Sequence, residues 1–110
     1  MVLKSYAKIN LSLNVVKRFE NGLHDIQTMY CLIDLYDTIY IKKLGNTKHD
    51  KISFSGKYSN QIKVKNNSIQ KILNIMRKNR LIKNFYSIKV IKRIPVFSGL
   101  GGGSSNAVTI

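Results

Sequence analysis

The sequence predicts one α+β domain across residues 1–110. Three observations lead there. Apolar and polar residues alternate near the N-terminus, a central segment repeats its apolar residues at helical spacing, and a strand-like run follows it up to the sole proline. A chain of 110 residues leaves room for one modest domain, and 44% apolar residues suffice for a core.

Residues 2–16 alternate most clearly at Ile9, Leu11, Leu13 and Val15 against Asn10, Ser12 and Asn14. That period reads as a long half-buried strand, with Ile9, Leu11 and Leu13 facing the core. Asn21-Gly22 is a hairpin-turn signal. Apolar runs at 26–35 and 38–44 follow, with a break expected at 34–37, a loop at 45–50 and a short strand at 51–55. Asn66-Asn67-Ser68 offers an N-cap to a helix whose apolar face is Ile69, Ile72, Leu73 and Met76, ending near Asn79 or Arg80. Residues 85–94 read as a last strand, stopped by Pro95.

Lys and Arg total 19 against five acids, a net charge of +14. A phosphate-rich partner would explain it, such as a nucleotide, a nucleic acid or an anionic membrane. So would codon bias, since fifteen Lys and fifteen Ile in 110 residues suggest AT-rich codons. The cations are spread along the chain and form no like-charge tail, which favours bias. No apolar stretch is long enough for a membrane helix, so no membrane partner is expected. With no charged-then-apolar leader and one cysteine, Cys31, the expected compartment is the reducing cytoplasm. Cys31 lies in an apolar run and is expected to be a buried thiol. His49 sits in a polar loop and receives no role.

The last sixteen residues carry the chemistry. They run Pro95, Val96, Phe97, Ser98, Gly99, Leu100, Gly101, Gly102, Gly103, Ser104, Ser105, Asn106, Ala107, Val108, Thr109, Ile110. Four of the seven glycines fall within five residues. Glycine admits positive φ and leaves no Cβ in the way of an anion, so successive amides can point inward. Ser104, Ser105 and Asn106 are good N-caps for a helix whose free amides and dipole favour phosphate. A phosphate loop is therefore expected, with a flexible glycine turn as the plain alternative. No lysine follows as a Walker A loop requires, and the third glycine of a dinucleotide fingerprint is missing. On this reading Gly101→Val should abolish nucleotide-phosphate binding with little change in thermal stability.

The run Pro95-x-x-x-Gly99-Leu100-Gly101-Gly102-Gly103-Ser104-Ser105-Asn106-Ala107 resembles the phosphate-binding motif of the GHMP kinases. Ala7-Lys8-Ile9-Asn10-Leu11 and Asn21-Gly22-Leu23-His24-Asp25-Ile26-Gln27-Thr28 resemble two further motifs of that family, in the family's order. The resemblance implies the family's N-terminal domain, a ribosomal protein S5 domain 2-like α+β sandwich. It implies transfer of the ATP γ-phosphate to a hydroxyl of a cytidine-diphosphate-linked polyol in non-mevalonate isoprenoid (terpenoid) synthesis. Lys8 would be the catalytic lysine, Asn10 and His24 would bind substrate, and Pro95 through Asn106 would bind ATP. Magnesium is expected with ATP; no ligand is assigned, and Ser105 is the only hydroxyl considered. Leu23 departs from the aromatic usual in the family, which puts base stacking in doubt. The family's catalytic acid, third glycine motif and second domain would lie beyond Ile110, so an inactive N-terminal fragment is expected. A helix opening at Ser104 has under two turns before Ile110, which agrees.

Lys8 and Asn10 are two apart and share a face opposite Ile9 and Leu11, so both would look into a cleft. Two alternatives remain. One is another kinase of the family, of the homoserine kinase type, against which His24 and the Gly-Gly-Gly-Ser-Ser-Asn run argue. The other is a basic RNA-binding domain, which calls for aromatics interleaved with cations on one face. Tyr58 and Phe85-Tyr86 are too scattered for that.

Overall fold

A computed structural model describes residues 1–63 and 67–110. The strands are β1 (Val2–Arg18), β2 (His24–Lys43), β3 (Lys51–Ser55) and β4 (Tyr86–Ile91), and the helices are α1 (Ser68–Lys78) and α2 (Gly102–Thr109). They form one sheet in the order β1-β2-β4-β3. β1 and β2 pair antiparallel, as do β2 and β4, whereas β3 and β4 pair parallel across the α1 crossover. The core is Ile39, Ile88 and Val90 from the sheet against Ile69 and Leu73 of α1, with Ile110 after α2 packed on the same cluster. The α+β expectation stands as a mixed sheet covered by helices.

Local signals explain most element ends. Gly22 turns the β1–β2 hairpin at φ +83, and the Asn21 Oδ1 accepts from Leu23 N at 3.0 Å. Asn67 caps α1, its side chain accepting from Gln70 N at 3.0 Å, while Asn66 lies outside the described residues. Past the helix, Arg80 takes φ 59 and Leu81 N donates to Met76 O at 2.9 Å, a Schellman closure with arginine at the usual glycine position.

Four expectations need correction. β2 is continuous through the expected break, but its register shifts there: Tyr6 faces Tyr36 and Lys8 faces Leu32, so residues 33–35 bulge opposite Ala7. The last strand ends at Ile91, because Arg93 N and Ile94 N leave the ladder to bond the Asp37 carboxylate. Ile9, Leu11 and Leu13 do not face a core: they are 40%, 62% and 53% exposed. That half of the hairpin runs past the helices, so alternation alone places no layer on it. Cys31, opposite Ile9 on the same arm, is exposed for the same reason.

Candidate functional site: a glycine cradle beside Lys8

Ile94 is fully buried and anchors the chain where it leaves the sheet. From there residues 95–101 form a loop that returns to β1. Ser98 Oγ donates to Pro95 O at 2.8 Å, and Lys8 N donates to Leu100 O at 3.0 Å. Gly101 then takes φ +74 and serves as the N-cap of α2 with no side-chain cap. The first intrahelical bond of α2 runs from Ser105 N to Gly101 O at 2.8 Å. The amides of Gly102, Gly103 and Ser104 precede it and have no carbonyl one turn back, so the positive end of the helix lies open.

The expected N-cap at Ser104, Ser105 and Asn106 is therefore corrected: all three lie inside α2, which starts at Gly102. Ser105 is turned to the sheet, where its Oγ accepts from Ser5 Oγ at 2.9 Å and donates to Tyr6 O at 3.1 Å. Ser104 is exposed at the loop's open side. Gly101 packs on Lys8, since a Cβ there would lie 3.2 Å from Lys8 Cε at a φ that disfavours side chains. The expected Gly101→Val effect on binding alone is revised accordingly, because stability must fall as well.

Lys8 is half-buried with its stem against Gly101, and its Nζ donates to Asn10 Oδ1 at 3.4 Å. Lys8, Asn10 and the glycine loop thus come together. His24 does not join them. It pairs with Arg18 at the hairpin tip, whereas Lys8 pairs with Leu32, so the two are separated by roughly 25 Å of strand.

A cavity of about 650 Å³ opens beside the loop, between it and the start of α1. Phe54, Ile62 and Ile69 form its apolar wall, Lys63 and Lys71 add charge, and Val96, Phe97 and Gly101 through Ser104 form the opposite side. That size and mixture suit a nucleotide. Phe97 stands at the lip, 96% exposed and at φ 58, a strained conformation for an aromatic residue.

Metal fits poorly. Among the described residues no three His, Cys, Asp or Glu side chains gather, and the Ser105 hydroxyl is committed to β1. Of the acids, Asp50 holds Arg77 at 2.5 Å, and Asp37 is paired with Lys92. The aromatics expected of an RNA platform are engaged elsewhere. Arg77 covers the Phe85 ring at 4.5 Å, and Tyr86 packs on the core. No helix among the described residues is long and apolar enough to cross a membrane.

Asp37 falls in the expected break and Lys92 carries no expected role, yet both are buried beneath the loop. A signal existed: Asp37 shares its strand face with Ile39, and a charge on a core face demands a partner.

Residues 67–110, the segment that holds the cavity wall and the loop, match the GHMP kinases N terminal domain. The chain is 47% identical over 109 residues to 4-diphosphocytidyl-2-C-methyl-D-erythritol kinase of Pelagibacter ubique (strain HTCC1062), covering 98% of this chain and 38% of that relative. The kinase of the same name from Finegoldia magna is 47% identical over 107 residues, covering 97% of this chain and 37% of its own length. A crystal structure of 4-(cytidine 5'-diphospho)-2C-methyl-D-erythritol kinase superposes with a TM-score of 0.70 at 29% identity, over 97% of this chain and 37% of that one. The chain thus spans well under half the length of the relatives it matches.

Proposed function

We propose that this chain supplies the nucleotide-binding part of an ATP-dependent kinase acting on 4-diphosphocytidyl-2-C-methyl-D-erythritol. The observation that carries this is the open N-terminus of α2, presented by left-handed Gly101 with the Lys8 stem packed against it. The free amides of Gly102, Gly103 and Ser104 bind the ATP phosphates, and the residues from Pro95 to Asn106 form or support that loop. The base and sugar occupy the adjoining cavity. Lys8 meets the transferring phosphoryl group, whose charge spreads over several oxygens in the transition state.

In the reaction the substrate 2-hydroxyl oxygen bonds to the γ-phosphorus and the bond to the bridging oxygen of ADP breaks. The hydroxyl proton passes to a base that residues 1–110 do not provide in our reading, since Asp37 is already paired with Lys92. Asn10 orients the substrate beside Lys8. His24, at the hairpin tip opposite Arg18, meets its base end. Magnesium would accompany ATP, but the side chains at the cradle do not form its site and no step is assigned to it. More finely, we assign the fold to the ribosomal protein S5 domain 2-like sandwich, with residues 1–110 as part of that domain, in a cytoplasmic enzyme.

Calorimetric titration with ATP and with inorganic tripolyphosphate tests the cradle. Both should bind at one site and compete. A chain that binds neither at millimolar concentration would refute the reading.

A further inference from the structure

We infer that Asp37 is a positioning residue for phosphate binding: one buried carboxylate holds the two stems of the glycine loop at a set distance. This rests on the reading of the loop as a phosphate cradle. Asp37 is fully buried in β2. Its Oδ1 accepts from Arg93 N at 2.7 Å and Ile94 N at 2.9 Å, the residues that lead into the loop. Its Oδ2 accepts from Asn106 Nδ2 at 2.9 Å, in the helix that leads out of the loop, and from Lys92 Nζ. Both ends of residues 95–105 are thereby tied to one rigid group in the centre of the sheet.

Two details favour a role beyond holding the fold. Asn106 Oδ1 is buried and has no hydrogen-bond partner, because the reverse orientation would set its oxygen against the carboxylate. A buried acceptor left unpaired is costly, and the tie to Asp37 persists despite it. Lys92 is the counter-ion, and its Nζ lies 3.4 Å from where a Cβ on Gly102 would sit. The pair is neutral, so an anion at the first turn of α2 meets no net negative charge from below.

Asp37→Ala would leave Lys92 buried without a partner and endanger folding. Asn106→Ala cuts the tie to α2 alone and removes the orphaned oxygen as well. In the full chain, exchange of the Ser105 amide, which donates to Gly101 O, should accelerate and tripolyphosphate affinity should fall about tenfold, through lost preorganisation. The unfolding midpoint and the exchange of Ile39, Ile88 and Val90 should stay at wild-type values. Unchanged Ser105 exchange and unchanged affinity would overturn the inference, leaving the cradle intact. Core amides that accelerate in step with Ser105 would reduce Asp37 to a structural role and overturn it too. If exchange accelerates but the wild-type chain binds no tripolyphosphate, the cradle reading fails and takes the positioning role with it, while the tie itself stands.

Discussion

Alanine at Gly101 and at Gly103, two residues apart, should shift stability in opposite directions. Gly101 sits at φ +74, where an L-residue costs about 1–2 kcal/mol. A Cβ there also meets Lys8 Cε at 3.2 Å, while the Lys8 backbone is held by Leu100. Reduced freedom of the unfolded chain offsets about 0.4–1 kcal/mol, leaving a net loss near 1 kcal/mol. For a domain of this size that lowers the unfolding midpoint by about 4–8 °C. Gly103 lies within α2, and the nearest atom to its Cβ would be Ser68 Oγ at 4.0 Å. Alanine there should gain about 0.5–1 kcal/mol, as in other helices. Yet the Gly103 Cβ would project into the cavity, so tripolyphosphate affinity should fall while stability rises. Calorimetric melting and titration of both variants read these effects separately. A Gly101→Ala chain as stable as wild type would refute the left-handed cap. A Gly103→Ala chain that binds as tightly as wild type would refute the cradle.

Further expectations concern catalysis and strain. In a chimera whose matched segment of the Pelagibacter ubique kinase is replaced by residues 1–110, Lys8→Met should lower kcat by about 10²–10³ with a much smaller change in KM for ATP. Near-normal kcat would return Lys8 to a structural position against Gly101. His24→Gln in that chimera should raise KM for the cytidylyl substrate and leave that for ATP alone; equal effects on both would remove its substrate role. Phe97→Gly relieves the strain at φ 58 and should raise stability by about 0.5–1 kcal/mol, seen as a higher denaturation midpoint in urea. A lower midpoint would mean that the ring, though exposed, contributes packing.

The legible parts of the fold were those encoded locally. Residues 51–55 form the expected strand, Asn67 caps the expected helix, and Asn21-Gly22 makes the expected turn. What the sequence could not convey was partnership. The parallel pairing of β3 with β4 depends on contacts between residues such as Ile52 and Ile88, far apart in the chain. Asp34 and Asp37 do interrupt the apolar pattern, but a bulge and a buried carboxylate look the same as a turn when only polarity is read. The glycine loop is legible because its residues are contiguous, whereas Lys8 stands out by its motif alone, since Ile9 and Leu11 on the opposite face are exposed and the alternation does not place them in a core. The Asp37, Lys92 and Asn106 cluster draws on three distant segments, so only the fold assembles it.

The hairpin arm has a colloidal consequence. Leu11, Leu13, Leu23, Met29 and Leu32 are each more than half exposed along it, on a body 49 Å in its longest dimension. Such an arm is adhesive toward its own kind. Mutual repulsion from a net charge of +14 opposes that adhesion. Repulsion of this kind reaches about 10 Å at 0.1 M salt and only about 3 Å at 1 M. Added salt therefore removes the force that keeps copies apart and leaves the attraction in place, so this chain stays dispersed best in dilute buffer.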